Sequence, residues 1–146
     1  ATKTISAPID RVFGFVSDHE RFLTGAGLTC TMGHAGRDDP NGEGAVRLVR
    51  SGPLLFREVI TSFEPDTRYE YVIRMLRGPL GVRMPVTHEL GWVELTPHGD
   101  LTDVVWGSRF EIDLPFGTRF VGGRLAETLE AGWGRVLERA RRELET

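Results

Sequence analysis

The sequence predicts an α+β domain in which a curved, seven-stranded antiparallel sheet wraps around one long C-terminal helix, with two short helices after the first strand. Three observations point there. Between Phe120 and Leu144 apolar residues recur every three to four positions, with Arg and Glu mostly between them, the mark of an amphipathic helix. From Leu28 to about Ile112 the pattern changes to short apolar runs punctuated by Gly, Pro, Asn and Asp, as strands and tight turns require. Ahead of both lies a brief strand-like run followed by residues at helical spacing. A sheet of this size cannot bury one face of every strand against a single helix, so a sheet curved around that helix leaves room for a cavity. The 146 residues suit one domain, residues 1–146, large enough to bury a core without disulfide or metal staples.

Thr2 to Ile5 reads as a strand. Ser6 is a good N-cap, Pro8 suits a helix start, and Asp10 in the first turn complements the helix dipole. Ile9, Val12, Phe13 and Val16 then share one helical face. Ser17 and Glu20 match the S-x-x-E capping box and start a second short helix that ends by Gly25. Strands are expected at Leu28–Met32, Ala45–Arg50, Leu54–Phe63, Arg68–Leu76, Val86–Thr96 and Leu101–Ile112. Gly33 to Gly44 is a polar loop, Gly52-Pro53, Pro65-Asp66-Thr67 and His98-Gly99 are turns, and Gly78 to Gly81 breaks the pattern. Six sequential strands with short turns make an antiparallel meander. In the last helix, about seven turns long, Gly122, Gly123, Gly132 and Gly134 each cost up to ~1 kcal/mol relative to Ala, which close packing against the sheet can offset.

Composition excludes several functions. Lys and Arg total 18 against 21 Asp and Glu, a net charge of -3, which argues against broad electrostatic nucleic-acid binding and leaves only a local basic patch open. Arg135, Arg139, Arg141 and Arg142 fall late in a helix, where the dipole favours cations, and read as a solvated face. The single cysteine, Cys30, forms no internal disulfide, fits a reducing compartment and reads as a small buried hydrophobe. No apolar run approaches the roughly 18 residues of a membrane span, and no basic-then-apolar leader is visible. A cytoplasmic domain without membrane insertion is expected. The zinc patterns H-x-x-x-H and H-E-x-x-H are missing, as are the phosphate-loop, dinucleotide-loop and G-x-S-x-G motifs. Asp39 to Gly44 opens like a calcium loop, but Pro40 interrupts it and Arg50 stands where its last position needs Glu. No metal and no cofactor is expected.

Five segments carry a family resemblance: I-S-A-P-I-D-R-V-F-G-F-V-S-D at 5–18, G-E-G-A-V-R at 42–47, E-V-I-T-S-F-E-P at 58–65, V-E-L-T-P at 93–97 and V-V-W at 104–106. With the C-terminal helix they span nearly the whole chain. They resemble the SRPBCC (START-like) superfamily, specifically its polyketide cyclase/dehydrase branch. The opening segment is the most telling, because Ala-Pro, an apolar helical stripe and Ser-Asp recur there in this superfamily. The resemblance implies the helix-grip fold. The superfamily includes cyclases, dehydratases, lipid carriers, hormone-binding proteins and cochaperone-like domains, and no catalytic residue carries over from a shared motif.

Strand register then selects the side chains that face a cavity. With Gly52-Pro53 as a two-residue turn, Arg47 lies across from Glu58, Val49 from Phe56 and Ala45 from Ile60. The resemblance places this Arg and this Glu at recurring positions. They form either an ion pair closing the sheet or a polar anchor for a ligand carbonyl or carboxylate. With His98-Gly99 as the second turn, Val93 faces Val104, Gly91 faces Trp106, Glu89 faces Ser108 and Thr87 faces Phe110. Glu89, Val93, Trp106, Ser108 and Phe110 then point inward. A carboxyl group in an apolar pocket keeps its proton to higher pH and serves as general acid or base. Glu89 is therefore the first catalytic candidate and Glu58 the second. A one-residue slip would instead turn Glu89 to solvent and bring in His88, Leu90 and Trp92. On the preferred register His88 lies outside, opposite Arg109, while His19, His34 and His98 fall at helix ends or in loops.

Tyr69 and Tyr71 alternate with Ile73 and Met75 along one strand, and an inward Tyr71 would pack against a ligand while offering its hydroxyl. Trp133 on the apolar stripe of the long helix is core, or cavity wall where the core is hollow. Met75 and Met84 suit an adaptable lining. The expected ligand-binding set is Arg47, Tyr71, Val93, Trp106, Ser108, Phe110 and Trp133. The expected partner is a hydrophobic small molecule, polyketide-like, aromatic or lipid-like, entering near Gly33–Gly44, Gly78–Pro85 and Pro115–Gly123, on a monomer or homodimer. Two functions follow: a cyclase or dehydratase working by general acid-base chemistry with Arg47 stabilising an enolate, or a noncatalytic carrier or sensor. A protein-interaction domain is a third and weaker option.

Overall fold

The computed structural model describes residues 1–146. Its elements are β1 (Thr2–Ile5), α1 (Ile9–Val16), α2 (His19–Leu23), β2 (Leu28–His34), β3 (Val46–Ser51), β4 (Leu54–Glu64), β5 (Arg68–Arg77), β6 (Val86–His98), β7 (Leu101–Ile112) and α3 (Thr118–Leu144), with a short 3-10 turn at Pro79–Gly81. The strands form one antiparallel sheet in the order β1-β7-β6-β5-β4-β3-β2. Strands β2 to β7 run as a meander and β1 takes the edge beside β7. The sheet curves around α3, which packs on β1, β7, α1 and α2. This is the predicted helix-grip fold.

The helix starts differ from expectation. Ser6 caps nothing; α1 begins after Pro8, and the Ser6 N–H donates to Glu145 at the end of α3, 2.9 Å away. The capping box expected at Ser17 does not form because the Ser17 N–H is still bonded to Phe13 of α1. Asp18 caps α2 instead, accepting from the Arg21 N–H, and Glu20 accepts from the Met32 N–H of β2 at 2.7 Å. Arg139 is not a solvated side chain: it donates to the Arg21 and Phe22 carbonyls at the end of α2, where free carbonyls need donors.

Both tight hairpins obey one rule. Gly52 opens the β3–β4 turn with a φ of 55°, and a two-residue hairpin turn needs positive φ at its first position. The register follows as expected, with Arg47 opposite Glu58 and Val49 opposite Phe56. In β6–β7 the residue able to supply positive φ is Gly99, at 63°. It must therefore open the turn, so the loop is Gly99-Asp100 rather than His98-Gly99, and His98 pairs with Leu101. Val93 consequently pairs with Trp106, and Gly91 with Ser108.

The core is packed at one end and hollow at the other. Val136, Leu137, Ala140 and Leu144 of α3 are buried in one cluster with Ile5, Val12, Val16, Phe22 and Val104. Each fully buried aliphatic or Phe side chain contributes roughly 1.5–3 kcal/mol. The first half of α3, by contrast, has no buried residue, and the sheet below it opens into a cavity.

Candidate functional site

The cavity lies between the first half of α3 and the sheet and has a volume of about 180 Å³. A single water needs roughly 10–15 Å³ by this measure, so the space holds a small organic molecule. Arg47, Glu58, Tyr71, Trp106, Ser108, Phe110 and Trp133 all lie on its wall, and Met84 does too. Val93 does not. It is fully buried between Tyr69 and Trp106 in the neighbouring strands, one layer into the packed core.

Glu89 is also off the wall: it is exposed. The reason is a bulge in β6, where His88 pairs with Phe110 but Leu90 pairs with Arg109, leaving Glu89 as the extra residue. A bulge breaks the in-out alternation of a strand. The odd residues Gly91, Val93 and Leu95 are buried as expected, but below the bulge the even residue His88 is buried instead. A second irregularity, at Arg74 in β5, acts the same way: Arg57 pairs with Met75 and Glu58 with Ile73, so Leu76 rather than Met75 reaches the cavity. Between the two, β5–β6 pairing stops at Tyr71 and Gly91. The split leaves the Ile73 N–H without a strand partner, and it donates to His88 Nδ1 at 3.0 Å. His88 thus replaces part of the sheet.

Arg47 forms the polar floor of the site. It is fully buried and donates from Nε to Glu58 Oε2 at 2.6 Å. Its Nη1 donates to His19 Nδ1 at 2.9 Å, and His19 Nε2 donates to the Asn41 carbonyl at 2.8 Å. The guanidinium sits over the Tyr71 ring, 4.6 Å from its centroid, an arrangement that favours the cation. Arg47 Nη2 and the Tyr69 hydroxyl make no hydrogen bond. Burial opposes the Arg47 charge, but Glu58 outweighs it and raises the pKa. Burial, with Arg47 second, holds His19 well below its ordinary value, so it stays neutral. Sequence reasoning placed His19 at a helix end and found no role for it; no local signal distinguishes it from a solvated histidine.

Two stacked aromatic pairs lie along the wall. Trp106 lies against Trp133 with ring centroids 5.1 Å apart and planes 15° from parallel, and Tyr71 lies against His88 at 5.6 Å and 18°. Trp106 Nε1 donates to the Tyr71 hydroxyl at 2.9 Å, so the Tyr71 proton points elsewhere. Burial raises the Tyr71 pKa, keeping the phenol protonated. Gly91 makes this packing possible: a Cβ there would lie 2.3 Å from the Tyr71 ring. His88 Nε2 bonds Ser108 Oγ at 2.7 Å, and burial lowers the His88 pKa to about 4. Elsewhere no three side chains gather as metal ligands, and no helix is long and apolar enough to cross a membrane.

A family model described as "Polyketide cyclase / dehydrase and lipid transport" matches residues 1–145. No curated protein matches the chain by sequence. Among solved structures, a START superfamily protein from Mycobacterium smegmatis aligns with a TM-score of 0.76 at 16% identity, over 99% of this chain and 96% of that one. XoxI from Bacillus cereus aligns at 0.73 and 13% identity, over 99% and 92%. DynU16, from the dynemicin biosynthetic locus, aligns at 0.64 and 22% identity, over 100% of this chain but 46% of its own length. These likenesses speak to the fold.

Proposed function

Because the chain belongs to the polyketide cyclase/dehydrase and lipid transport family, we propose that its cavity binds a small, apolar and largely flat molecule, aromatic or polyketide-like. The observation that carries this reading is the cavity wall itself. Trp106 stacked on Trp133 and Tyr71 stacked on His88 line an otherwise largely aliphatic and aromatic space. Sites of this kind bind by apolar burial and use few polar groups for orientation. On this reading the ligand enters at the sheet end where Val86 pairs with Ile112, because Met84, Val86 and Phe110 of that end line the cavity and the connections there expose Leu80, Val82 and Phe116.

A cyclase or dehydratase activity is the second reading, favoured by two hydroxyls on the wall, Tyr71 and Ser108, that each accept an N–H and keep a proton to donate. Glu58 is the one carboxylate on the wall and is the base such chemistry would use, but it would have to loosen its bond to Arg47. Holding a ligand needs no such step, which is why binding is the first reading.

Native mass spectrometry of the purified protein, with extraction of any bound compound, tests it, followed by tryptophan fluorescence with flat apolar compounds. Trp106 and Trp133 line the cavity while Trp92 does not, so binding should quench two of the three tryptophans. At a hundredfold excess over Kd the ligand adds about 2.7 kcal/mol of stability, a rise of roughly 5–10 °C for a domain this size. No quenching and no rise across a broad panel would overturn the reading.

A further inference from the structure

Ser108 and His88 look like a nucleophile and its base, and their hydrogen-bond directions rule that out. The Ile73 N–H can only donate, so His88 Nδ1 carries the lone pair. The neutral ring therefore holds its proton on Nε2, which donates to Ser108 Oγ. To take the Ser108 proton, Nε2 would need a free lone pair. Shifting its own proton to Nδ1 would set two N–H groups, from Ile73 and His88, head to head.

The same arrangement aims the hydroxyl. One lone pair of Oγ is occupied by His88, so the Ser108 hydrogen must point away from the ring. Ser108 lies on the cavity wall, and the residue paired with it in β6 is Gly91, which has no side chain to receive that hydrogen. An oxygen that already accepts a bond is also a stronger donor. Of the two cations on the wall, Arg47 is matched by Glu58 and Arg135 is exposed, where water and salt screen its charge, so no unpaired buried charge holds a carboxylate.

We propose that Ser108 donates a hydrogen bond to an uncharged oxygen of the ligand, a ketone, quinone or ester carbonyl, and that His88 is the positioning residue that aims it. This rests on the reading of the cavity as a ligand site. It makes carbonyl placement, rather than charge, the polar determinant of specificity.

The test uses two matched probe pairs, 9-fluorenone with fluorene and 1-indanone with indane, on wild type, Ser108→Ala, Ser108→Thr, His88→Phe and His88→Gln. Affinity comes from fluorescence titration, and the infrared carbonyl stretch of the bound ketone reports its hydrogen bond directly. Ser108→Ala should weaken ketone binding roughly two- to twelvefold, the range of one net hydrogen bond, and leave the hydrocarbons unchanged. The stretch should be lowered in wild type and Ser108→Thr and return upward in Ser108→Ala. His88→Phe keeps a ring against Tyr71 but frees the hydroxyl to rotate, so the band should broaden. His88→Gln, whose amide can donate to Oγ, should narrow it again. Ketones and hydrocarbons that bind with the stretch unaltered by Ser108→Ala would overturn the proposal and leave the cavity reading standing. Failure of every probe to bind would overturn both.

Discussion

Arg47 keeps a full charge in a place sealed from water, and three interactions hold it there: the Glu58 carboxylate, the His19 ring nitrogen and the Tyr71 ring face. Removing two charges from water costs several kcal/mol per ion, and their attraction only repays that when geometry and hydrogen bonding are good. The pair is thus close to balanced as a whole but costly to break. Arg47→Met or Glu58→Gln alone should destabilise the protein by about 3–5 kcal/mol, because either leaves one buried charge unmatched. At this size that is a fall in Tm of roughly 6–20 °C. The double change Arg47→Met with Glu58→Leu should recover most of the loss. Thermal melts of the three variants check this, and a double variant as unstable as the singles would place the cost in packing rather than charge.

At the scale of elements, what was legible depended on whether a strand stays regular. The β3–β4 hairpin was read correctly to the residue because Gly52-Pro53 allows one turn and no bulge intervenes between Arg47 and Glu58. The same turn rule, applied to Gly99, would have set the β6–β7 register. The bulges at Glu89 and Arg74 carry no comparable mark: neither is a glycine or a proline, and both arise where β5 and β6 separate, a tertiary event. So the side chains above the bulges were placed on the correct face, and those below, Glu89 and Met75 against His88 and Leu76, were exchanged. The α3 helix shows the opposite case, where sequence speaks to dynamics. Its glycines at 122, 123, 132 and 134 all precede Val136, the first buried residue of the helix, so that stretch has few contacts to offset their cost. Amides from about 118 to 132 should exchange with deuterium well before those from 136 to 144, since local opening follows buried contacts. Gly123 and Gly134 have nothing within 4 Å of an added Cβ. Replacing each by Ala should stabilise the helix by about 0.5–1 kcal/mol, slow that exchange and slow ligand entry. Unchanged exchange rates in the double variant would count against the glycines as the cause of local opening in α3.

The whole molecule joins a packed end, which holds it together, to a hollow end, which the proposed function makes the working part. His19 and His88 both tie the hollow end to the fold, and both do so through a ring nitrogen that accepts an N–H. Arg47 occupies Nδ1 of His19, and the Ile73 amide occupies Nδ1 of His88. A proton at either site would set donor against donor. Burial adds to this, holding His88 to about 4 and His19 well below its ordinary value. In the unfolded chain both titrate near 6.5. Above that pH neither state takes up a proton and the stability from these sites is complete. As the pH falls below 6.5 the unfolded chain binds protons that the native protein refuses, so stability drops. The slope is at most about 1.4 kcal/mol per pH unit for each histidine. For His88 the loss ends near pH 4, where the native ring titrates too. Glu138 and Glu145 are held below the usual carboxylate range by their hydrogen bonds, Glu138 chiefly to Arg141 and Glu145 to the Ser6 N–H. They add losses only below about pH 4.5, which leaves the window from 6.5 to 4.5 to the histidines. Urea melts at pH 7.5, 6.0 and 5.0 should show stability level above neutrality and then falling. His88→Gln should remove up to one proton from that slope. A flat profile across the window would mean that these rings take up protons in the folded state after all, and the hydrogen-bond directions assigned to them would be wrong.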